Sequence, residues 1–318
     1  MTRVLVTGGS GFLGTSVVAG LVASDSIERV VSADIRTPSP GVRLPGVLYQ
    51  RLDVTDAGGL PDLLRRHNID TVVHLASIVN PGRNTTVDQE FAVDVDGSRA
   101  VFAACVEAGV SRIVVSSSGA TYGYHHDNPE WITEADPLRG NDDFSYSRHK
   151  RMVEEMLAEL RVSAPQLSQT VFRIGTILGP AVDNQITALW ESRRILTVAG
   201  SASPFVFVWV TDVVAAIVRA ATGGPAGIFN VAGDGTMTLA EIARGLGKKR
   251  LVVPAWLLAA ALGIGRSLGL TPHGPAQVKF LRYRPVLDNT ALKVTFGFTP
   301  FHTSREAFES YLEARALR

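Results

Sequence analysis

Tyr146 and Lys150 stand four positions apart in the run YSRHK, residues 146–150. On a helix that spacing stacks a phenol and an ammonium one turn apart on a single face. In isolation such a pair reads as a solvated helix face. Paired deliberately, it could do acid–base work. A free phenol, with a pKa near ~10, is a poor base at neutral pH until a neighbouring cation favours its phenolate. Three serines in VVSSSGATYG (114–123) end a strand-like run just upstream. One of their hydroxyls could be aimed at the same place, with the others satisfying a turn.

Chemistry of that kind needs a scaffold that brings strand ends and one helix together. Short β-branched runs at 3–7, 29–34, 47–53, 71–76, 112–117 and 169–174 alternate with helical patterns at 11–24, 56–67, 86–108 and 143–162. Most of the runs are apolar without alternation, as parallel strands covered on both faces must be. The rhythm predicts an α/β fold with a doubly wound parallel sheet of the Rossmann kind. Beyond 175, loops rich in Gly and Pro separate further elements, including strand-like runs at 205–208 and 227–232. Helical patterns dominate from 238 to an amphipathic stretch at 303–317. The expected division is a dinucleotide-binding domain over 1–175, with strand segments 205–233 returning to it. Residues 176–204 and 234–318 would form a smaller, mostly helical substrate lobe.

VLVTGGSGFLG places Gly8, Gly9, Gly11 and Gly14 between the first strand and the first helix. Glycines there allow a tight turn and let a pyrophosphate approach backbone N–H groups at the positive end of the helix. Asp34 ends the second strand twenty residues past Gly14. A carboxylate at that point would accept hydrogen bonds from a ribose and repel a 2′-phosphate, so the reading favours NAD over NADP. Arg36 works the other way, since a nearby arginine can accommodate the phosphate. Asp53, in DVTD, could cap the next helix or contact the adenine. His74, inside a buried strand pattern, reads as a satisfied core histidine. The remaining histidines (67, 125, 126, 149, 273 and 302) have no metal-ligand spacing, so no metal site is expected.

A chain of 318 residues with 46% hydrophobic and 19% charged residues is ordinary for a globular protein. Its net charge of +1 makes no case for nucleic acid. The one cysteine, Cys105, lies in an apolar helical pattern and excludes an internal disulfide, which fits a reducing compartment. The amino terminus runs directly into a strand pattern, leaving no room for a signal peptide. The most membrane-like stretch, 251–265, is interrupted by Pro254 and closed by Arg266, short of the roughly 20 apolar residues a span needs. A soluble, cytoplasmic protein is expected.

The motifs TGGSGFLG, DVTD, HLAS, SSSGATYG and YSRHK, with Asp34 between the first two, follow one another in an order that resembles the extended short-chain dehydrogenase/reductases, the group of NAD-dependent epimerases and dehydratases. FRIGTILGP (172–180), FVWVTDVVAA (207–216), GIFNVAG (227–233) and RPVLDNTALKVTFGFTP (284–300) extend the resemblance over nearly the whole chain. It implies that Tyr146 is the general acid/base, that Lys150 lowers its pKa and holds the nicotinamide ribose, and that Ser118, five positions before Gly123, hydrogen-bonds the reacting oxygen. The dinucleotide would meet Gly8, Gly11, Phe12, Leu13 and Gly14, then Asp34 and Arg36, Asp53 and Val54, Leu75 and Ala76, and finally Ser116, Tyr146 and Lys150. The substrate would meet Ser77, Ser118, Thr176, Phe205 and Trp209. A homodimer through helices 86–108 and 143–162 is also implied.

The chain departs from the resemblance where the substrate should bind. Family members acting on nucleotide sugars carry an asparagine where Thr176 stands, an arginine where Phe205 stands and a histidine where Trp209 stands. Arg193, Arg194, Arg282 or Arg284 could replace the missing charge. Gly119 and Ala120 follow Ser118 where the 4,6-dehydratases have Asp-Glu, which disfavours dehydration. The apolar stretches PAWLLAAALGIG and SPFVFV could wall a substrate with a hydrophobic body. The expected function is hydride transfer at a secondary alcohol or ketone of a small molecule that is not a typical nucleotide sugar. The alternatives are a sugar-nucleotide 4-epimerase and a non-catalytic NAD(P)-sensing protein.

Overall fold

Side chains along a strand point alternately to its two faces, so a strand that is apolar at every position must be covered on both sides. The computed structural model describes residues 1–82, 85–268, 274–275 and 277–316, and in it the apolar runs pair as this rule requires. The strands are β1 (Thr2–Thr7), β2 (Ile27–Asp34), β3 (Val47–Arg51), β4 (Thr71–His74), β5 (Arg112–Ser118), β6 (Ser168–Ile174), β7 (Thr176–Leu178), β8 (Arg194–Val198), β9 (Phe207–Trp209), β10 (Gly227–Val231) and β11 (Lys249–Val253). Seven of them form one parallel sheet in the order β10-β6-β5-β4-β1-β2-β3. The order reverses between β1 and β4, which opens a crevice beyond the carboxyl ends of those strands.

The helices are α1 (Phe12–Val22), α2 (Leu60–Arg66), α3 (Val87–Phe91), α4 (Gly97–Ala108), α5 (Ser145–Ser163), α6 (Gln185–Glu191), α7 (Val210–Thr222), α8 (Leu239–Gly245), α9 (Ala255–Ser267), α10 (Gln277–Arg282), α11 (Thr290–Val294) and α12 (Ser304–Ala316). Val4, Val6, Val73, Val114 and Phe172 pack under α1 and α7 on one face of the sheet. Leu5, Val31, Val72, Ile113 and Val171 pack under α2, α4 and α5 on the other. A third apolar cluster gathers around the buried Trp190, which meets Phe205, Phe207, Phe308 and Tyr311 at ring-centroid distances of 5.7–6.2 Å.

Several expected boundaries move. Of the segment 205–233, residues 227–231 join the main sheet beside β6, while Phe207–Trp209 pair with β7 in a ladder of their own. Strands β8 and β11, which pair with each other, occupy stretches where no strand is expected. The long helix expected over 86–108 is interrupted by a wide π-type turn at Ala92–Asp96. Asp53 caps no helix: its Oδ1 accepts from the N–H and Oγ1 of Thr55, and the N-cap of α2 is Gly59. His273 and the carboxyl end of the 303–317 helix lie outside the described residues. Cys105 is buried, and burial pushes its thiol up to about 12, as befits a small core side chain.

The catalytic helix candidate, α5, is tied to the sheet by a buried ion pair. Arg173 and Glu154 are 3% and 2% exposed, and Arg173 donates through Nε and Nη2 to the carboxylate at 2.7–3.1 Å. Ser117 of β5 donates to the same carboxylate, and Nη1 of Arg173 reaches the Tyr122 hydroxyl, which donates to Asn230 of β10. Breaking such a pair leaves a buried charge without its counterion, at a cost of about 3–5 kcal/mol. Glu154→Ala is therefore expected to lower the urea midpoint by the equivalent of about 3 kcal/mol or more. An unchanged midpoint would show that the pair does not hold the fold.

Candidate active site

The turn from β1 to α1 is built for close approach. Gly8 has φ of +69°, and a Cβ there would lie 2.8 Å from the backbone of Ala76. A Cβ on Gly14 would lie 2.0 Å from the carbonyl oxygen of Gly8. Only hydrogen fits at either place, and the backbone surface stays bare in front of α1. Gly11 is the N-cap of that helix with no side-chain cap, so the first N–H groups, at Phe12 and Leu13, lack intrahelical acceptors and can receive an anion.

The glycine turn opens into a cleft of about 720 Å³ along the carboxyl edge of the sheet, within the range of ligand sites. Every residue expected to meet a dinucleotide lines it: Gly8, Gly11, Phe12, Leu13, Gly14, Asp34, Arg36, Asp53, Val54, Leu75, Ala76, Ser116, Tyr146 and Lys150. The Asp34 carboxylate accepts from the N–H of Ser10 at 3.1 Å and of Arg36 at 3.1 Å. These bonds pin the carboxylate at the cleft wall and leave lone pairs for hydroxyl donors.

Tyr146 and Lys150 fall on the first turns of α5, facing the end of β5. The Lys150 ammonium donates to the Ser116 carbonyl at 3.0 Å and lies 5.7 Å from the centre of the Tyr146 ring. Ser118 sits at the last position of β5, its Oγ accepting from the N–H of Ala120 at 3.2 Å, so its proton is free to donate. A phenol beside an ammonium, with a hydroxyl across the same cleft, can exchange a proton with a bound oxygen. Behind them, Gly119 faces Leu287, whose Cδ2 would lie 3.1 Å from an added Cβ. A side chain there would require the Leu287 side chain to shift by a few tenths of an ångström.

Of the residues expected to meet a substrate, Ser77, Ser118, Thr176 and Phe205 line the cleft; Trp209 does not. The last residue of β9, Trp209, turns away and tilts against His302, 5.9 Å between centroids. Of the four arginines that could supply charge, only Arg284 lines the cleft. Its guanidinium lies 3.9 Å over Phe205 and 5.1 Å from the centre of Phe280. Nη1 donates to Ser203 Oγ at 2.8 Å, while Nε and Nη2 are sealed from solvent and have no acceptor among the described residues. Burial pulls its pKa down to about 9, with Tyr124 opposing, so the group still carries its charge at neutral pH. Burial also raises the pKa of Tyr124, which keeps that cleft-lining phenol protonated.

Asp94 and His149 are two buried polar residues that motif spacing did not single out. Asp94 lies in the π-type turn, accepts from Ser77 Oγ at 2.9 Å and the Ile78 N–H at 2.8 Å, and meets His149 Nδ1 at 3.1 Å. His149 lies four residues before the buried Val153 on α5, so its inward position follows from the buried face of that helix. The pair holds the loop carrying Ser77 against α5. His74 is the satisfied core histidine expected: Thr7 Oγ1 is 2.7 Å from Nδ1 and Ser98 Oγ 3.0 Å from Nε2. Ser98 donates its own proton to the Asp94 carbonyl, which assigns the hydrogen of the neutral ring to Nε2. Among the described residues no cluster of His, Cys, Asp or Glu could hold a metal.

Comparison with known proteins places this geometry among relatives. The sequence model of the NAD dependent epimerase/dehydratase family matches residues 4–232. An uncharacterised protein of Mycobacterium tuberculosis is 29% identical over 99% of this chain and 84% of its own. A UDP-glucose 4-epimerase of Neisseria gonorrhoeae is 28% identical over 55% of this chain and 53% of its own. Among solved structures, the UDP-glucose 4-epimerase of Thermus thermophilus in complex with NAD is similar at 26% identity, with a TM-score of 0.74 and 98% of each chain covered.

The histidine beneath the site makes a prediction about pH. Burial first, then the Lys150 charge, pull its pKa from 6.5 to about 3. Between those values the unfolded chain binds a proton that the folded chain refuses. This group's contribution to stability is therefore intact above pH 6.5 and lost as pH falls through the window, by up to about 1.4 kcal/mol per unit. In acid titrations followed by denaturant unfolding, His74→Gln should be less stable at neutral pH and show a shallower fall with pH. Equal slopes in the two proteins would contradict this.

Proposed function

We propose that this chain, which belongs to the NAD-dependent epimerase/dehydratase family, is an oxidoreductase acting at a secondary alcohol or ketone carbon of a small molecule. The observation that carries the reading is the convergence of Tyr146, Lys150 and Ser118 beside the glycine turn in one cleft. NAD is the cofactor that fits: its pyrophosphate on the α1 N–H groups, its adenosine ribose on Asp34, its nicotinamide ribose on Lys150. Bound there, it supplies the hydride acceptor or donor. Tyr146 takes the proton of a carbinol being oxidised, or returns it to a ketone being reduced. Lys150 stabilises the phenolate, the form of Tyr146 before it takes that proton and after it gives it up, and Ser118 holds the reacting oxygen by donating to it.

The substrate is read from the other half of the cleft. Among the described residues Arg284 is the cation of that half, and Asp183 shares the lining. Phe205, Phe280, Ile177 and Pro204 give it apolar walls. This favours a molecule with a hydrophobic body and one anionic group over one with a diphosphate, which would meet two facing cations in a site built for it. The second reading, a sugar-nucleotide 4-epimerase, is favoured by the likeness to the Thermus enzyme and by Arg284 itself. A protein that only senses NAD(P) would have no use for the Ser-Tyr-Lys set. The free, buried Cys105 suits a cytoplasmic location, and the faces of α4 and α5 are proposed as a homodimer contact.

Two experiments test this. Nucleotide released by denaturing freshly purified protein is expected by mass spectrometry to be NAD. Release of NADP would overturn the assignment of Asp34. In single-turnover assays Tyr146→Phe is expected to slow hydride transfer by about 10²–10⁴-fold while NAD still binds. Undiminished transfer would remove Tyr146 from its role.

A further inference from the structure

Residues 242–287 hold eight of the chain's 31 Lys and Arg and none of its 30 Asp and Glu. A nearly neutral protein thus concentrates unbalanced positive charge in one stretch. That stretch includes β11 and α9, and both leave apolar side chains in water. α9 buries only Leu258. Trp256 is 73% exposed, Ile264 62% and Leu268 66%, with Leu257 beside them and Leu251 and Val252 of β11 also exposed. Positions 256, 257, 260, 261 and 264 fall on one stripe of a helix, and here they are Trp, Leu, Ala, Ala and Ile. A contiguous apolar face of this kind on a protein surface marks an interaction site.

The charged residues of β8, β11 and α9 themselves are all basic. Lys249 lies opposite Arg194 across the β8–β11 ladder, Arg193 and Arg250 adjoin them in the chain, and Arg266 closes α9. All five are exposed, and none forms an ion pair with a carboxylate among the described residues.

We propose that this face docks on an anionic lipid bilayer, with α9 lying in the headgroup layer and the basic cluster against lipid phosphates. An apolar helical stripe beside Lys and Arg is the pattern of an interfacial helix, and each basic residue near such a surface adds to the attraction. No helix among the described residues is long and apolar enough to cross a membrane, so the contact is peripheral. A second copy of the chain is a poorer occupant, because a two-fold contact would set basic clusters against each other. A nucleic acid would leave the Trp–Leu–Ile stripe without a partner. α10 packs on α9 and carries Phe280 into the cleft, so the docking face borders the site. The proposal does not depend on the activity assigned above.

The test is flotation of the full chain with phosphatidylcholine vesicles, with and without phosphatidylglycerol. Binding is expected only with phosphatidylglycerol, released by high salt. It should weaken about tenfold or more in Lys249→Glu/Arg250→Glu and in Trp256→Ser/Leu257→Ser, with NAD binding unchanged as the check on folding. All the substituted positions are exposed, and the charge-reversal pair decides alone if the apolar pair misfolds. Absence of binding to the anionic vesicles, or binding equal in wild type and both variants, would overturn the proposal. So would concentration-dependent self-association in sedimentation that Trp256→Ser/Leu257→Ser abolishes without any vesicle binding, which would make the face a contact between copies.

Discussion

Arg173 and Glu154 meet in the interior between β6 and α5, where neither charge can reach water, and the position of the whole of α5 follows from their contact. Tyr146, Lys150 and Glu154 recur at intervals of four residues, so they form one ridge along α5. Glu154 is the anchored end of that ridge. Its carboxylate accepts from Arg173 and from Ser117 of β5, while Arg173 continues to Tyr122 and, through it, to Asn230 of β10. Three neighbouring strands and the helix are thereby fixed at one depth. Hydrophobic packing alone would permit α5 to slide or roll by fractions of a turn, whereas bidentate ionic geometry in a dry interior has one good arrangement. Lys150 and Tyr146 inherit that arrangement one and two turns towards the amino end.

The opposite wall of the cleft is set by steric exclusion. At Gly8 and Gly14 no side chain fits, and the chain passes so close to itself that the backbone is the only surface a ligand can meet. Asp34 then occupies the end of β2 with its orientation held by two N–H groups. The cleft between these walls lies where the strand order reverses, so the topology of the sheet and the placement of reactive groups have one cause. A further buried pair, Asp94 with His149, fastens the Ser77 loop to α5 and couples that wall of the cleft to the same helix.

Most of this was legible from residue types. Continuous apolar runs exposed the parallel strands because both sheet faces are covered, and the glycine spacing located the turn because nothing else fits there. The strands at 194–198 and 249–253 escaped for physical reasons. The second of them is exposed along most of its length and reads as the front of the apolar run that becomes α9. The π-type turn at 92–96 cannot be seen in periodicity, since Asp94 draws it towards the Ser77 loop through tertiary bonds. Arg284 was one of four arginines that could have entered the cleft. Its place depends on Phe205 and Phe280, which come from distant segments. Trp209 was expected at the substrate and instead packs on His302, because it ends β9 where the chain turns into α7.

The claim on which the account rests is that one cleft holds NAD with its reactive end between Tyr146 and Ser118. A crystal structure of the protein with NAD tests this most directly. The expected pose sets the pyrophosphate against the N–H groups of Phe12 and Leu13, the adenosine ribose on Asp34, and the nicotinamide ribose on Lys150. A nucleotide bound with its nicotinamide away from Tyr146, or seated outside the glycine turn, would contradict it.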